Sequence, residues 1–222
     1  MSKDVIKRLK IVKRLKEEYG KELNTFYKKD SSHGWNHIED VVKNALEINR
    51  KLTLNLNEEH LVLAALFHDI YSDIDRENHH TLAADWFAKF MIKQGKYEAS
   101  DIMEMSSAIK EHRASYKGEY SSLLSEVLAA ADRGAPDLNS KIIRSSKYYL
   151  EREPNSDLKT IAENVYKHMV EKFSRTGYMK YNAIYSSFYK KEIHNMYVTI
   201  DKLSVDKVFN ILIENLKEKK EK

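Results

Sequence analysis

The apolar positions of this chain recur at helical spacing almost from end to end, interrupted by short polar turns. Residues 2–28 place Val5, Leu9, Val12, Leu15 and Leu23 on one inward face and lysines on the other, which predicts a long amphipathic helix. Asp30, Ser31 and Ser32 supply turn and cap material. A second helix is expected from about Trp35, carrying Ile38, Val41, Val42, Ala45 and Ile48 inward and ending before Asn55. Asn57 followed by Glu58 and Glu59 gives the next helix an N-cap and an acidic first turn. Its apolar run, Leu61 to Phe67, ends directly in His68 and Asp69.

Downstream, Tyr71 to His79 is polar and reads as a loop, Thr81 to Gln94 as a helix stopped by Gly95, and Glu98 to Arg113 as another. A polar loop around Gly118 precedes a helix that starts at Ser121 or Ser122 and leads to Asp132. Pro136 suits the first turn of a helix running from Asp137 to about Arg152. After the break at Pro154 to Asp157, two or three more helices reach the lysine-rich tail. Tyr181, Tyr185 and Phe188 stand at helical spacing there, the signature of a packing face rather than of a base-stacking surface.

With 6 Gly, 2 Pro, 42% hydrophobic and 32% charged residues in 222, an all-α fold is expected over a disordered or turn-rich chain. The organisation expected is an N-terminal helix over residues 1–30, a core over 31–152 and a helical extension over 153–222 packed into the same globule. Zero cysteines exclude disulfides, a thiolate nucleophile and cysteine-based zinc sites. The first ten residues carry charges throughout and lack the apolar core of a secretory signal. No run approaches the roughly 18 apolar residues of a membrane span, so a cytoplasmic location without a membrane partner is expected. A net charge of +4 is weak for binding long nucleic acid and compatible with a small anionic substrate.

The chemistry lies in three segments: His33-Gly34-Trp35-Asn36-His37, His68-Asp69, and Ala131-Asp132-Arg133. Imidazole nitrogen and carboxylate oxygen together suit Mn, Fe, Co or Ni, and a set short of six ligands leaves places for water and substrate. His33 and His37 are four apart and share a face if both are helical. A joint metal site is one reading. The other has His33 capping the helix or touching substrate while His37 ligates. The absence of a Gly-rich phosphate loop argues against a kinase or P-loop ATPase.

The arrangement HGWNH, ALFHDIYSD, EHR and AADRG resembles the HD superfamily of metal-dependent phosphohydrolases, most nearly its small bacterial nucleotide phosphohydrolases, over residues 31 to 150. The resemblance implies an HD-type helical bundle whose metal ligands are His37, His68, Asp69 and Asp132, with Mn, Fe, Co, Ni or Mg as the ion. It also implies a second metal bridged by Asp69, with His80 and His112 as ligands, the alternative for His79, His80 and His112 being surface or phosphate-contacting roles. Asp69 and Asp73 would be the catalytic carboxylates, Asp73 standing where relatives carry an acidic residue, although Ser72 replaces the Glu before it. His33, Arg113 and Arg133 are the expected phosphate contacts, while Arg76, Lys110, Lys117 and Arg144 read as surface charge.

The activity implied is hydrolysis of a phosphate ester or phosphoanhydride of a small nucleotide. The chain departs from the family after Asp132, turning at Gly134-Ala135-Pro136 where relatives continue with a longer acidic and apolar stretch. A metal-containing binding module and a di-iron oxygenase stay open beside the hydrolase, as does a homo-oligomer.

Overall fold

A computed structural model describes residues 3–27 and 34–218. Among the described residues the regular structure is entirely helical. The helices are α1 (Lys3–Phe26), α2 (Trp35–Lys51), α3 (Glu58–Phe67), α4 (His79–Gln94), α5 (Ala99–Glu111), α6 (Leu123–Arg133), α7 (Leu138–Arg152), α8 (Leu158–Phe173), α9 (Ala183–Phe188), α10 (Lys190–Asp201) and α11 (Val205–Glu218). None of them is long and apolar enough to cross a membrane. The chain forms two units, one of residues 1–134 with 182–188 and the other of residues 135–181 with 189–222.

In the first unit α3 is the central element, packed by α1, α2, α5 and α6. Every residue from His60 to Phe67 is buried, because a ten-residue helix touched on all sides needs apolar side chains around its whole circumference. Asn57 caps it, its side chain accepting the Glu59 N–H at 3.0 Å. Phe67 at its last turn meets the rings of Tyr19, Trp86, Phe87 and Phe90 at centroid separations of 5.8, 5.8, 5.4 and 6.1 Å. Truncating such a residue costs roughly 3–5 kcal/mol, so the position of the helix end is strongly fixed. The α3 carbonyl of Leu66 also accepts the buried Tyr27 hydroxyl at 2.8 Å.

The inward seam of α1 is Leu15, Tyr19 and Leu23, with Tyr27 just beyond. Leu9, expected on that face, is 55% exposed; neighbouring helical residues point about 100° apart, and it is Arg8 that faces α3, pairing with Glu58. Antiparallel α4 and α5 pack closely, α4 stopping at Gly95 with φ 66°. The tyrosine-bearing α9 lies on α6 and α2, where Asn182 donates to the Glu126 carbonyl at 2.9 Å.

The second unit has its own core of Leu138, Ile142, Ile161, Val165, Met169 and Val208 among others. Asp137 caps α7 and Asp157 caps α8 through side-chain acceptors for the following amides. Pro136 therefore precedes the cap instead of standing in the first turn. The region after Leu158 holds four helices among the described residues, more than the two or three expected, because α9 and α10 are separate short helices broken at Tyr189.

Candidate metal centre

Helix ends deliver most of the expected ligands. His68 is the C-cap of α3 and His112 the C-cap of α5, Asp69 follows His68, and Asp132 is the penultimate residue of α6. Helix C-termini carry partial negative charge, and three of them, with two carboxylates, face one small volume. His37 enters from the first turn of α2 and His79 from the first residue of α4.

Two donor groups result. His37, His68, Asp69 and Asp132 form one, and Asp69, His79 and His112 the other, the ligand atoms of each lying within 4.8 Å of one another. In the first, His37 Nε2 is 3.1 Å from Asp132 Oδ1 and 3.6 Å from Asp69 Oδ2, while His68 Nε2 is 3.5 Å from each of those oxygens. In the second, Asp69 Oδ1 is 3.2 Å from His79 Nε2 and 3.4 Å from His112 Nε2. Asp69, 3% exposed, thus turns one oxygen to each group. Ligands held at roughly 2.1 Å by one ion stand roughly 3.0–3.4 Å apart at octahedral or tetrahedral angles, close to the spacings in both groups.

Hydrogen bonding fixes the tautomers. Nδ1 of His68, His79 and His112 lies 2.8, 2.9 and 2.6 Å from the carbonyls of Ala65, Arg76 and Ile109, each three residues earlier. A carbonyl only accepts, so each Nδ1 carries the proton and each neutral ring presents a bare Nε2 lone pair. His68 Nε2 is buried and makes no hydrogen bond. His79 and His112 point Nε2 at Nε2 across 3.3 Å, an arrangement of two lone pairs that repels unless a cation or proton stands between them. Both groups therefore fit a divalent metal, on the pattern of histidines oriented by a bond from the far nitrogen.

Burial pushes the His68 imidazole down, but the Asp69 and Asp132 carboxylates outweigh it and leave the ring above its ordinary value. Burial likewise raises Asp132, and the adjoining His37 and His68 imidazoles overcome it and hold that carboxyl far below the usual range. Both directions describe a site built around positive charge.

A cavity of about 140 Å³ opens at these groups, and its lining combines Asp69, His79, His112 and Asp132 with Ser72, Arg76, Arg113 and Ala114. Arg113, the expected phosphate contact, lines this cavity, its Nη1 donating to the Glu77 carbonyl at 2.5 Å. Arg133 is absent from the lining and instead lies over the Tyr185 ring of α9 at 5.3 Å. Asp73 is exposed, and His33 lies outside the described residues. His80, expected at the second group, stands aside with its ring centroid 5.6 Å from that of His79. Neighbouring helical residues point about 100° apart, so one of the two can face Asp69, and it is His79. Burial, with Arg113 next, pushes His80 down to about 4.

Residues 34–137 match the family model described as HD domain. The chain contains an HD domain. The match spans His37, His68, Asp69, His79, His112 and Asp132, all six donors of the two groups. A crystal structure described as a predicted HD superfamily hydrolase, from an uncultured Thermotogales bacterium, is 24% identical, covers 74% of this chain and 86% of its own, and superposes with a TM-score of 0.41. No curated protein matches the chain.

His79, which the sequence left beside His80 without choosing it, joins the second donor group, while Ser72 and Arg76, given no site role and read as surface charge respectively, line the cavity. The paired His79-His80 leaves the facing residue to helical phase, which turns on where α4 begins, and the loop before it sets that point.

Proposed function

We propose that the protein is a metal-dependent phosphohydrolase that cleaves a phosphate ester or phosphoanhydride bond of a small nucleotide. One observation carries the reading: Asp69 turns Oδ1 to His79 and His112 and Oδ2 to His37 and His68, so its carboxylate would serve both donor groups if each held an ion. A bound divalent metal such as Mn, Fe, Co, Ni or Mg supplies Lewis acidity and lowers the pKa of water. The chain's own residues do the rest. His37, His68, Asp69 and Asp132 make the first binding group and Asp69, His79 and His112 the second, while the Nδ1 bonds keep three imidazoles from reorienting during turnover.

In the reaction a water oxygen bonds to phosphorus, the P–O bond to the leaving group breaks with its electron pair, and the leaving oxygen takes up a proton. Arg113, held by the Glu77 carbonyl, offers its remaining N–H groups to phosphoryl oxygens. Asp73, in the loop that also carries Ser72, is the proposed proton carrier, and Asp73→Asn leaving turnover intact would remove it from the mechanism.

The test is product release from a panel of nucleotides with Mn, Co, Ni, Fe(II) or Mg, run beside Asp69→Ala. Metal-dependent turnover abolished in the variant supports the proposal, and the products identify the bond cut. The six-donor set of four histidines and two aspartates also suits a di-iron oxygenase; tight iron binding with oxygen uptake and no phosphate release would select that reading instead.

A further inference from the structure

We propose that Ser72, Arg76 and Arg113 form an anion subsite beside the His79–His112 half of the centre, shaped for one compact terminal phosphoryl group, with the remainder of the substrate left outside the cavity. This rests on the phosphohydrolase reading and narrows it. Two arginines and a serine line the same cavity as four of the metal-binding donors. A guanidinium fork and a metal-binding donor set around one small space suit the oxygens of a phosphoryl dianion.

Hydrogen bonds hold Arg113 and the turn from Ser72 to Asn78 in place, so the size of the cavity has meaning. Arg113 is tied to the Glu77 carbonyl. Asp75 accepts from the Glu77 and Asn78 amides and from Asn78 Nδ2, at 3.1, 3.0 and 3.1 Å. The Ser72 amide donates to the Asp69 carbonyl at 2.9 Å, and Ser72 is itself 7% exposed. The cavity, about 140 Å³, is well under the roughly 300–1,000 Å³ of pockets that enclose drug-sized ligands. A phosphoryl group enters it and a nucleoside does not. Selectivity then lies in the terminal phosphate, and the leaving group contributes little.

The subsite also predicts an order of binding. Without metal, Asp69 and Asp132 face the anion with negative charge that opposes Arg76 and Arg113. Anion binding is therefore expected only in the metal-loaded protein.

The test titrates inorganic phosphate into Mn-loaded protein by calorimetry, with Arg76→Gln, Arg113→Gln and, as a control on the second unit, Arg144→Gln. Metal content is measured on each sample. Each of the first two variants is expected to weaken phosphate binding by about tenfold or more, the size of a lost charge-assisted hydrogen bond, with metal content unchanged and Arg144→Gln like wild type. Phosphate binding unaffected in both cavity variants would overturn the subsite.

A second arm compares p-nitrophenyl phosphate, ribose 5-phosphate and AMP. Similar KM values are expected, and a KM lower by about tenfold or more for the substrate bearing a base would overturn leaving-group tolerance. Arginine-dependent phosphate binding without hydrolysis of any ester would keep the subsite and reject the hydrolase. Hydrolysis with phosphate binding indifferent to both arginines would do the reverse.

Discussion

Replacing His79 by alanine separates a two-ion centre from a one-ion centre. His79 contributes one of three donors to its group, 3.2 Å from Asp69 Oδ1 and 3.3 Å from His112 Nε2, and without it only a shared carboxylate and one imidazole remain. Loss of groups that merely orient a ligand weakens metal binding by about 10–100-fold, so loss of a ligand should cost at least about 100-fold. At free metal about 100 times the wild-type Kd, an occupied site adds roughly 2.7 kcal/mol to folding stability, and a 100-fold weaker one roughly 0.4. The difference, about 2.3 kcal/mol, corresponds to a loss of about 5–9 °C in Tm for a chain of this length. The assay is metal content by mass spectrometry after equilibration with Mn, together with thermal melts with and without metal. Wild type and His80→Ala should carry two equivalents, His79→Ala no more than about 1.5 and Asp69→Ala fewer still, with the metal-dependent part of the His79→Ala melting shift reduced by the amount stated. Wild-type saturation at one equivalent, or His79→Ala retaining two, would refute the bridging argument.

Tyr185→Leu removes the ring beneath Arg133 and should lower stability by about 1–2 kcal/mol, seen in urea melts; an unchanged midpoint would show that α9 is not anchored there. Glu111 is buried and accepts both the amide and the hydroxyl of Ser121, at 2.9 and 3.1 Å, so Glu111→Ala leaves an amide without its acceptor and should cost about 1–3 kcal/mol by the same measurement. Gly134 has φ 63° and ψ −174°, a region essentially reserved for glycine, and Gly134→Ala is expected to cost about 1–3 kcal/mol. Burial, and then Glu18, raises the Tyr19 hydroxyl to about 12. Because the folded state holds this proton more tightly than the unfolded one, stability should fall as pH rises from about 10 to about 12. Tyr19→Phe should flatten that slope in melts taken across the range.

The elements that were legible from the chain are those whose local chemistry agrees with their packing. Asn57 before Glu58 and Glu59 marks the start of α3, Gly95 marks the end of α4, and the unbroken apolar run to Phe67 marks a helix buried on all sides. The same run placed His68 and Asp69 at an interior helix end, where ionisable side chains require partners. What could not be read depends on phase or on contacts remote in sequence. Leu9 repeats the apolar period of α1 yet meets solvent, since period reports a face and not what covers it. Choosing between His79 and His80 needs the helix start to within one residue, finer than sequence patterns resolve. Arg76 looks like any surface arginine until the turn bonded through Asp75 brings it to the cavity wall. The return of Asn182–Phe188 to the unit of α6 and α2 is a long-range event that spacing among tyrosines cannot specify.

His68 and His112 each give their Nδ1 proton to a carbonyl in the last turn of the helix they terminate. Helix ends leave such carbonyls without intrahelical partners, so the bond that aims the ring also completes the secondary structure. Metal acquisition then needs no folding step of its own: the rings are already oriented when an ion arrives, and little chain has to be ordered to hold it. Calorimetry of metal binding should accordingly show a small heat-capacity change, unlike metallodomains whose binding free energy is their folding free energy. A centre of this kind exchanges one divalent ion for another without unfolding, and its resident metal is set by supply as much as by shape.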